Sequence, residues 1–325
     1  MRTTYPSIAI CGIGSVTVTI IYALYQNQIP FKILCRNQTR FQSLTENPIS
    51  FQGPNGKVVR IELNNHLTMT KCDQDKFDYI LIGCKNQNLS EYLDETKSLL
   101  KSNGKWILIQ NGIPELQFQS YESKIIGGVV GWNTQTLSKH TYFQSNIGSL
   151  ILGEAQGSEP DSFWKKILTP FIPVILTDEL SGYRWHKLAI NSIINGLAAA
   201  KQLSLGGLFL NRQSRIEALE TLTEIKLVMN RLEIKERVVP GSVSIQKLGG
   251  GPGSLPRWIC HLILILLGLK YFKIRTSMVQ DLDAHRKTEI DFINGEVVDK
   301  AKELGISVSR NEWIVRKIKE LELAQ

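Results

Sequence analysis

The sequence predicts an α/β protein of two domains: a mostly parallel sheet with interleaved helices, followed by an all-helical C-terminal domain. Short β-branched runs alternate with amphipathic stretches from Ser7 to about Leu176. Beyond Asp178 the long segments suit helices and carry few strand signals. The chain has 325 residues, more than the ~250 to 300 at which a single core usually stops growing. We therefore expect one domain over residues 1–179 and a second over residues 180–325.

Apolar runs and turn residues place the elements of the N-terminal domain. The expected strands are Ile8–Cys11, Phe31–Cys35, Tyr79–Ile82, Trp106–Ile109 and Lys124–Val130. Helical spacing predicts helices at Val16–Gln26 and Leu89–Leu100, the second with Ser90 as its N-cap. Turn residues from Gly53 to Gly56 predict a hairpin over Ser50–Met69. A second hairpin, over Tyr142–Leu152, is expected to close the sheet.

Three long segments form the predicted helical domain: Gly182–Ala200, Gln213–Val238 and Met278–Leu304. Glycines and prolines between Gly249 and Pro256 mark a loop inside this domain. The apolar run Trp258–Leu269 is shorter than the ~20 residues that span a bilayer. We expect a buried or interfacial helix there and no integral membrane segment, and peripheral membrane contact stays open.

Composition narrows the class of protein. A formal charge of +8 permits an anionic partner, but no long Lys/Arg tract indicates a nucleic-acid arm, so nucleic acid is not an expected partner. The five cysteines show neither a disulfide framework nor a CxxC pair: Cys11, Cys35, Cys72, Cys84 and Cys260. Glycines and hydroxyl residues interrupt the apolar stretch Ile8–Leu24, which argues against a signal peptide. Reduced thiols in a cytoplasmic compartment fit best.

A glycine motif directly follows the first predicted strand and precedes the first predicted helix. It consists of Gly12, Ile13, Gly14, Ser15, Val16 and Thr17. In a dinucleotide site the first glycine makes a tight turn, the second lets backbone approach the pyrophosphate, and the helix N-terminus supplies N–H groups. Thr17 replaces the third glycine, which we expect to loosen helix–strand packing. The motif predicts a Rossmann-type dinucleotide-binding domain, and a tight turn without a ligand is the alternative.

The end of the second strand bears on which dinucleotide would bind. No acidic residue follows Phe31–Cys35 to accept hydrogen bonds from a ribose 2′-hydroxyl. Arg36 follows instead, and Arg40 comes four residues later. A guanidinium group there can pair with a 2′-phosphate in forked geometry. The sequence therefore favours NADP over NAD, with a solvated loop arginine as the alternative.

A polar stripe is predicted on an otherwise apolar helix. Lys187, Asn191 and Asn195 stand at intervals of four and share one face if the helix is regular. A buried lysine is costly unless it is paired or faces a cleft, which indicates that the stripe lines a site. Alternatively, Lys187 extends to solvent and the asparagines bond to neighbouring helices.

A third polar set lies near the end of the chain. Ser277 is expected to be the N-cap of a helix on which Asp281, His285 and Glu289 follow at intervals of four. No further His or Cys is in register, so an exposed polar face is favoured over a metal site, and no metal is expected. Glu289 beside a cleft is a candidate partner for a lysine. P-loop, HExxH, GxSxG and EF-hand patterns are absent from the sequence, which disfavours hydrolases and phosphotransferases.

These motifs, in this order, resemble the ketopantoate reductase (2-dehydropantoate 2-reductase) family over nearly the whole chain. The resemblance also includes Lys85, the pair Asn111-Gly112, and the run from Thr288 to Gly295. It implies a Rossmann-type domain joined to a helical domain, and reduction of a 2-oxo acid by NADPH. The usual reaction of the family is ketopantoate to pantoate, on the way to coenzyme A.

The resemblance also implies roles for individual residues. Lys187 is then the proton donor, and the substrate-binding residues are Asn111, Asn191, Asn195 and Ser277. Asn111 also contacts the cofactor, Glu289 lies at the cofactor end of the site, and Lys85 binds the nucleotide or its phosphates.

The sequence departs from the family pattern at three places. These are Thr17, Leu205 at a position where the family often has a further asparagine, and a longer, more apolar region from Val238 to Ile274. Two alternatives therefore stay open: reduction of another keto or imino acid, and a non-catalytic NADP-binding sensor. A second copy of the chain, as a homodimer, is kept as a candidate partner.

Overall fold

An eight-stranded sheet forms the frame of the N-terminal part of the chain in the computed structural model, which describes residues 5–71 and 75–324. The chain divides into two units. The first comprises the residues up to Gln110 together with Pro114–Leu180. The second comprises Asn111–Ile113 and the residues from Ser181 onward, so a short segment around Asn111 groups with the helical part.

The described residues of the first unit form twelve strands and four α-helices. The strands are β1 (Ile8–Cys11), β2 (Lys32–Cys35), β3 (Ile49–Gln52), β4 (Val58–Ile61), β5 (Leu67–Met69), β6 (Phe77–Ile82), β7 (Leu100–Leu108), β8 (Ile125–Val130), β9 (Asn133–Ser138), β10 (Thr141–Asn146), β11 (Leu150–Glu154) and β12 (Val174–Leu176). The helices are α1 (Thr17–Gln26), α2 (Gln38–Glu46), α3 (Leu89–Thr96) and α4 (Phe163–Leu168).

The main sheet has the order β12-β11-β8-β7-β6-β1-β2-β5 and is parallel except between β11 and β8. The centre of the sheet is covered on both faces: Ile8 and Ile10 of β1 pack in one apolar cluster, whereas Ala9 and Cys11 pack in another. Successive side chains of a strand point to opposite faces, so a parallel strand buried on both sides needs a continuous apolar run. β1 lies between β2 and β6, which makes its carboxyl end a topological switch point where α/β proteins bind ligands.

Both predicted hairpins need correction. Ile49–Gln52 and Val58–Ile61 do pair antiparallel around the Gly53–Gly56 turn, but Leu67–Met69 leaves the hairpin and extends the main sheet beside β2. The strands within Tyr142–Leu152 belong to different sheets, because β10 pairs with β9 and β3 whereas β11 pairs with β8. A second, four-stranded sheet of order β4-β3-β10-β9 results, which the sequence analysis did not predict.

The C-terminal part of the described chain is helical. Its helices are α5 (Leu180–Asn191), α6 (Ala198–Ala200), α7 (Leu205–Leu210), α8 (Arg212–Arg231), α9 (Ile245–Leu248), α10 (Arg257–Lys270), α11 (Ser277–Asp283), α12 (Asn294–Glu303) and α13 (Ser309–Leu323). Residues Ser192–Leu197 form a π-helix between α5 and α6. The predicted fold class, a Rossmann-type sheet followed by a helical domain, is confirmed.

Three predicted helices are shorter than expected. The helix predicted over Gln213–Val238 ends at Arg231, the last residue of α8. The helix predicted at Leu89–Leu100 ends at Thr96, and Ser90 lies inside it rather than capping it. The predicted run Met278–Leu304 is broken: α11 ends at Asp283, and His285 has a φ of 50°, in the left-handed region that a continuing helix does not enter. Asp281, His285 and Glu289 therefore do not share one helix face.

No helix among the described residues has both the length and the apolar character that a bilayer crossing demands. The run Trp258–Leu269 lies within α10, where Cys260 and Leu264 are buried while Trp258 and Leu266 are 68% and 56% exposed. Cys11, Cys35 and Cys260 are free thiols, and Cys72 lies outside the described residues.

Candidate functional site

The glycine motif forms the turn between β1 and α1, at the carboxyl end of the sheet. Gly12 has a φ of 97°, and a Cβ there would lie 3.1 Å from the carbonyl carbon of Gly83. Gly83 follows β6, and a Cβ on it would lie 2.4 Å from the Gly12 oxygen. Both positions therefore require glycine. Gly83 carries part of the turn geometry that sequence reasoning missed, although a glycine directly after a strand was a usable signal.

Thr17 packs tightly against this turn. It is 1% exposed; its Oγ1 accepts a hydrogen bond from the Gly14 N–H at 2.8 Å and donates to the Gly12 oxygen at 3.1 Å. Its methyl group lies against Gly83, where an added Cβ would be 2.4 Å from Cγ2. The expected loosening of the packing at Thr17 is therefore corrected, because its hydroxyl group links Gly12 to Gly14 and its side chain is buried. Its effect on cofactor affinity stays a prediction.

The start of α1 retains donors for an anion. Within the described residues, no acceptor bonds to the N–H groups of Ser15 and Val16, and the Val16 N-cap has no side-chain capping bond. Unpaired N–H groups and the positive end of the helix dipole favour a phosphate at such a position. The residues present thus fit a dinucleotide pyrophosphate.

A pocket of about 540 Å³ joins this turn to the end of β2. Gly12 and Ile13 line one part of it, and Arg36 lines another. The remaining lining residues are Ile33, Leu34, Cys35, Asn37, Arg40, Leu44, Lys71, Gly83, Tyr92 and Glu95. The structure therefore brings together the glycine motif and the arginine that the sequence singled out, and it adds Lys71, Tyr92 and Glu95, which sequence reasoning missed.

Arg36 is engaged by α3. Its Nε and Nη2 donate to Glu95 at 2.6 and 2.8 Å, and Nη2 also pairs with Glu91. The guanidinium lies 4.3 Å from the ring centroid of Tyr92, a cation–π distance. The hydrogen bonds to Glu95 raise the pKa of Arg36 above its usual value, so its positive charge is fixed at all ordinary pH values. The solvated-arginine alternative does not describe this residue.

Lys85 is exposed in the loop after β6, where its carbonyl accepts the Asn88 N–H at 3.0 Å. It is not among the residues that line the pocket of Arg36. Its assignment to the nucleotide stays a prediction.

The predicted stripe on α5 is regular only in part. Lys187 and Asn191 lie one turn apart on the α-helix, but Asn195 lies in the π-helix Ser192–Leu197. A π-helix closes i→i+5 bonds and takes more residues per turn, so Asn195 is rotated away from the straight line predicted for an α-helix. Ser192 Oγ donates to the Leu188 carbonyl at 2.9 Å, and Asn294 Nδ2 donates to the Ser192 carbonyl at 3.5 Å. These bonds support the wider turn.

Asn111, Asn191 and Glu289 form one polar cluster in the second unit. Asn191 Nδ2 donates to Asn111 Oδ1 at 3.3 Å, and Asn111 Nδ2 donates to Glu289 Oε2 at 3.1 Å. Gly112 makes this approach possible, because its φ is 77° and a Cβ there would lie 2.2 Å from the Phe292 oxygen. The Asn111-Gly112 pair thus packs on the segment that carries Glu289.

Lys187 lies one turn before Asn191 and has no counterion within the part of the chain that the structure describes. Part of the residue reaches solvent, yet burial lowers the pKa of Lys187 below its usual value. In residues 5–71 and 75–324 no carboxylate pairs with its Nζ. An ammonium whose charge is desolvated and unneutralised can act on a ligand's oxygen, both as a proton donor and as a positive charge.

Ser277 and Asn195 complete the set of predicted substrate contacts. Ser277 is exposed and is the first residue of α11; Thr276 holds the N-cap position, which corrects the predicted cap. Asn195 is 8% exposed, and its side-chain amide makes no hydrogen bond within the described part of the chain. An amide in this state has donors and an acceptor to offer to a ligand.

Comparison with protein families decides the relationship. A family model described as "Ketopantoate reductase PanE/ApbA" matches residues 8–157, and its companion, "Ketopantoate reductase PanE/ApbA C terminal", matches residues 179–322. The chain belongs to the ketopantoate reductase family. The resemblance inferred from the sequence is confirmed, and family membership makes the chain an oxidoreductase of the 2-dehydropantoate 2-reductase type.

Curated relatives and solved structures agree with this membership. The 2-dehydropantoate 2-reductase of Pyrococcus abyssi is 24% identical over 311 residues, which cover 94% of each chain. That of Aquifex aeolicus is 24% identical over 270 residues, covering 79% of this chain and 81% of the relative. The fold of this family member is similar to the Ralstonia eutropha PanE/ApbA family ketopantoate reductase, with a TM-score of 0.79, 18% identity and coverage of 98% and 99%.

A second solved structure has the same fold and a different name. D-mandelate dehydrogenase, solved with NADH and anilino(oxo)acetate, matches with a TM-score of 0.80, 20% identity and 98% coverage of each chain. A dimeric ketopantoate reductase from Staphylococcus aureus matches with a TM-score of 0.74, 18% identity and coverage of 98% and 99%. At these identities the likeness concerns the fold.

Proposed function

We propose that this family member reduces a 2-oxo acid with NADPH, and that 2-dehydropantoate is the substrate, giving pantoate for coenzyme A synthesis. The observation that carries the proposal is Lys187, whose Nζ pairs with no carboxylate among the described residues, one turn before Asn191. Asn191 in turn donates a hydrogen bond to Asn111 at 3.3 Å. In this proposal residues 1–179 bind the cofactor, whereas residues 180–325 provide the proton donor and most of the substrate contacts.

Cofactor binding in this proposal involves both the glycine motif and a few charged residues. The backbone from Gly12 to Thr17 binds the pyrophosphate at the start of α1, and the Arg36 guanidinium pairs with the 2′-phosphate. Lys85, Asn111 and Glu289 are the other proposed cofactor contacts. When bound, a reduced nicotinamide supplies a hydride to the C2 carbon of the oxo acid.

Lys187 supplies the other half of the proposed reduction. As hydride adds to C2, the carbonyl π-electrons move to oxygen, and the Lys187 ammonium stabilises that charge and donates a proton to form the hydroxyl group. The substrate is oriented by Asn111, Asn191, Asn195 and Ser277. Their amide and hydroxyl groups can hydrogen-bond to the carboxylate and other oxygens of an oxo acid.

Turnover with purified protein tests this proposal. We expect oxidation of NADPH, followed by its absorbance, to depend on added ketopantoate, and Arg36→Ala to raise the KM for NADPH about tenfold more than the KM for NADH. Equal losses for both cofactors would remove the 2′-phosphate role of Arg36. Measurable NADPH binding without turnover would point to a cofactor-binding sensor.

A second candidate substrate class follows from one observation. D-mandelate dehydrogenase has the same fold and was solved with an aromatic oxo acid analogue, and this chain has Leu205 where the family often has a further asparagine. Leu205 is 7% exposed. A comparison of kcat/KM for ketopantoate and phenylglyoxylate separates the two candidates, because the larger value identifies the substrate class.

We also propose that the chain forms a homodimer through α10 and resides in the cytoplasm. The Staphylococcus aureus neighbour is dimeric, and α10 exposes Trp258, Leu262 and Leu266 at helical spacing. Such a contiguous apolar face is typical of an interaction surface. The free thiols of Cys11, Cys35 and Cys260 fit a reducing compartment.

Sedimentation velocity tests the dimer. Leu266→Glu should convert the wild-type dimer to a monomer at micromolar concentration, because a charge would be buried without a partner. Leu137→Glu, on an exposed leucine of β9, is the matched control and should sediment as the wild type. A wild-type monomer, or a Leu266→Glu dimer, would contradict the proposed interface.

A further inference from the structure

The pocket that holds Arg36 also holds a carboxylate. Glu95 lines the same 540 Å³ pocket, and its two carboxylate oxygens accept hydrogen bonds from Nε and Nη2 of the guanidinium at 2.6 and 2.8 Å. This fork-to-fork arrangement is the one that Arg36 would otherwise offer to a phosphate. The side chains are only 25% and 29% exposed, so water screens the pair less than it screens a pair on the open surface.

The remaining donors of Arg36 are few. Nη2 serves both Glu95 and Glu91, and the face of the guanidinium lies over the Tyr92 ring. The Tyr92 side chain is a further hydrogen-bond partner of Arg36, so most donors of the guanidinium are engaged within the described residues. A phosphate must therefore either accept hydrogen bonds from one edge of the guanidinium while the Glu95 carboxylate stays close to it, or displace that carboxylate.

A 2′-phosphate and a 2′-hydroxyl respond differently to this carboxylate. A phosphate monoester carries nearly two negative charges at neutral pH and is repelled by Glu95. A hydroxyl is neutral and can donate a hydrogen bond to a carboxylate, as in NAD-dependent sites. Arg40 and Lys71 line the same pocket and supply positive charge that favours the phosphate.

We propose that Glu95 competes with the cofactor's 2′-phosphate for Arg36 and thereby sets the discrimination between NADPH and NADH. This inference rests on the proposed use of NADPH. In the wild type, Arg40 and Lys71 offset the repulsion between Glu95 and the 2′-phosphate. The preference for NADPH over NADH is nevertheless smaller than it would be if Arg36 were not bound to Glu95.

The test measures binding of two adenosine probes by calorimetry, without substrate and without turnover. The probes are 2′,5′-ADP, which carries the 2′-phosphate, and 5′-AMP, which carries a hydroxyl there. Glu95→Gln keeps the side-chain shape and should lower the Kd of 2′,5′-ADP about tenfold while changing the Kd of 5′-AMP less than about twofold. NADPH and NADH should show the same change in their Kd ratio.

Glu91→Gln is the matched control, because Glu91 also pairs with Arg36 but is 60% exposed and does not line the pocket. It should change the 2′,5′-ADP Kd less than about threefold. Glu95→Ala gives a second readout if Glu95→Gln fails to fold. An unchanged or weaker 2′,5′-ADP affinity in a folded Glu95 variant overturns this inference and leaves the proposed function standing. A wild type that binds neither 2′,5′-ADP nor NADPH overturns the proposed function as well.

Discussion

Lys187→Met should lower kcat at least about 10³-fold, since it removes both a general acid and a positive charge from the developing alkoxide. It should also stabilise the fold at neutral pH, because burial lowers the pKa of Lys187 and no carboxylate among the described residues compensates its charge. Loss of activity together with a gain of stability is the signature of a functional buried charge.

The stability gain of Lys187→Met depends on pH with a definite sign. Between the lowered pKa of Lys187 and its usual value of 10.5, the unfolded chain binds more protons than the native chain. Native stability therefore rises with pH across that window, and the penalty is fully present below it. The advantage of Lys187→Met should be largest near neutrality and vanish as the pH approaches 10.5. For the wild type, kcat should fall as the pH rises through the lowered pKa, because the donor loses its proton.

Steady-state kinetics and urea unfolding at several pH values measure both effects. Lys247→Met removes an exposed lysine of the same unit and should leave kcat and stability unchanged. If Lys187→Met retained more than about a tenth of wild-type kcat, a proton-donor role would be excluded, since such a role contributes at least about 10²-fold.

Local patterns in the sequence were enough to predict part of the candidate site. The strand, turn and helix around Gly12 depend on neighbouring residues, and the i, i+4 spacing of Lys187 and Asn191 holds because α5 is a regular helix there. The order of strands and helices likewise predicted the fold class.

Other features depend on residues far apart in the chain, which local patterns do not report. The π-helix that rotates Asn195 is supported by Asn294, about a hundred positions away. Arg36 is bound by Glu95 from another helix, so its partner could not be read from spacing. The strands β5 and β10 took partners outside the predicted hairpins because pairing is decided by the assembled sheets.

Gly83→Ala should weaken the binding of NADPH and NADH alike, by at least about 100-fold, through the shape of the glycine turn. The added Cβ would lie 2.4 Å from the Gly12 oxygen and 2.4 Å from Thr17 Cγ2, far inside van der Waals contact. The turn must shift, which moves the Ser15 and Val16 N–H groups proposed to meet the pyrophosphate. Overpacking of this kind costs about 1 to 3 kcal/mol of stability.

Two further variants separate internal crowding from contact with the cofactor. Gly14→Ala places its Cβ 3.7 Å from the Gly83 oxygen, which is an ordinary contact. The variant should therefore keep wild-type stability and weaken only the binding of the cofactor, which approaches the loop. Adding Thr17→Ser to Gly83→Ala removes the methyl group in conflict while keeping a hydroxyl to bond Gly14 and Gly12. Because the conflict with the Gly12 oxygen persists, the double variant should regain only part of the lost affinity in fluorescence titrations with both cofactors.

Wild-type affinity in Gly83→Ala would show that the turn does not hold the dinucleotide. A loss of affinity confined to NADPH would place the effect at the 2′-phosphate instead of the pyrophosphate.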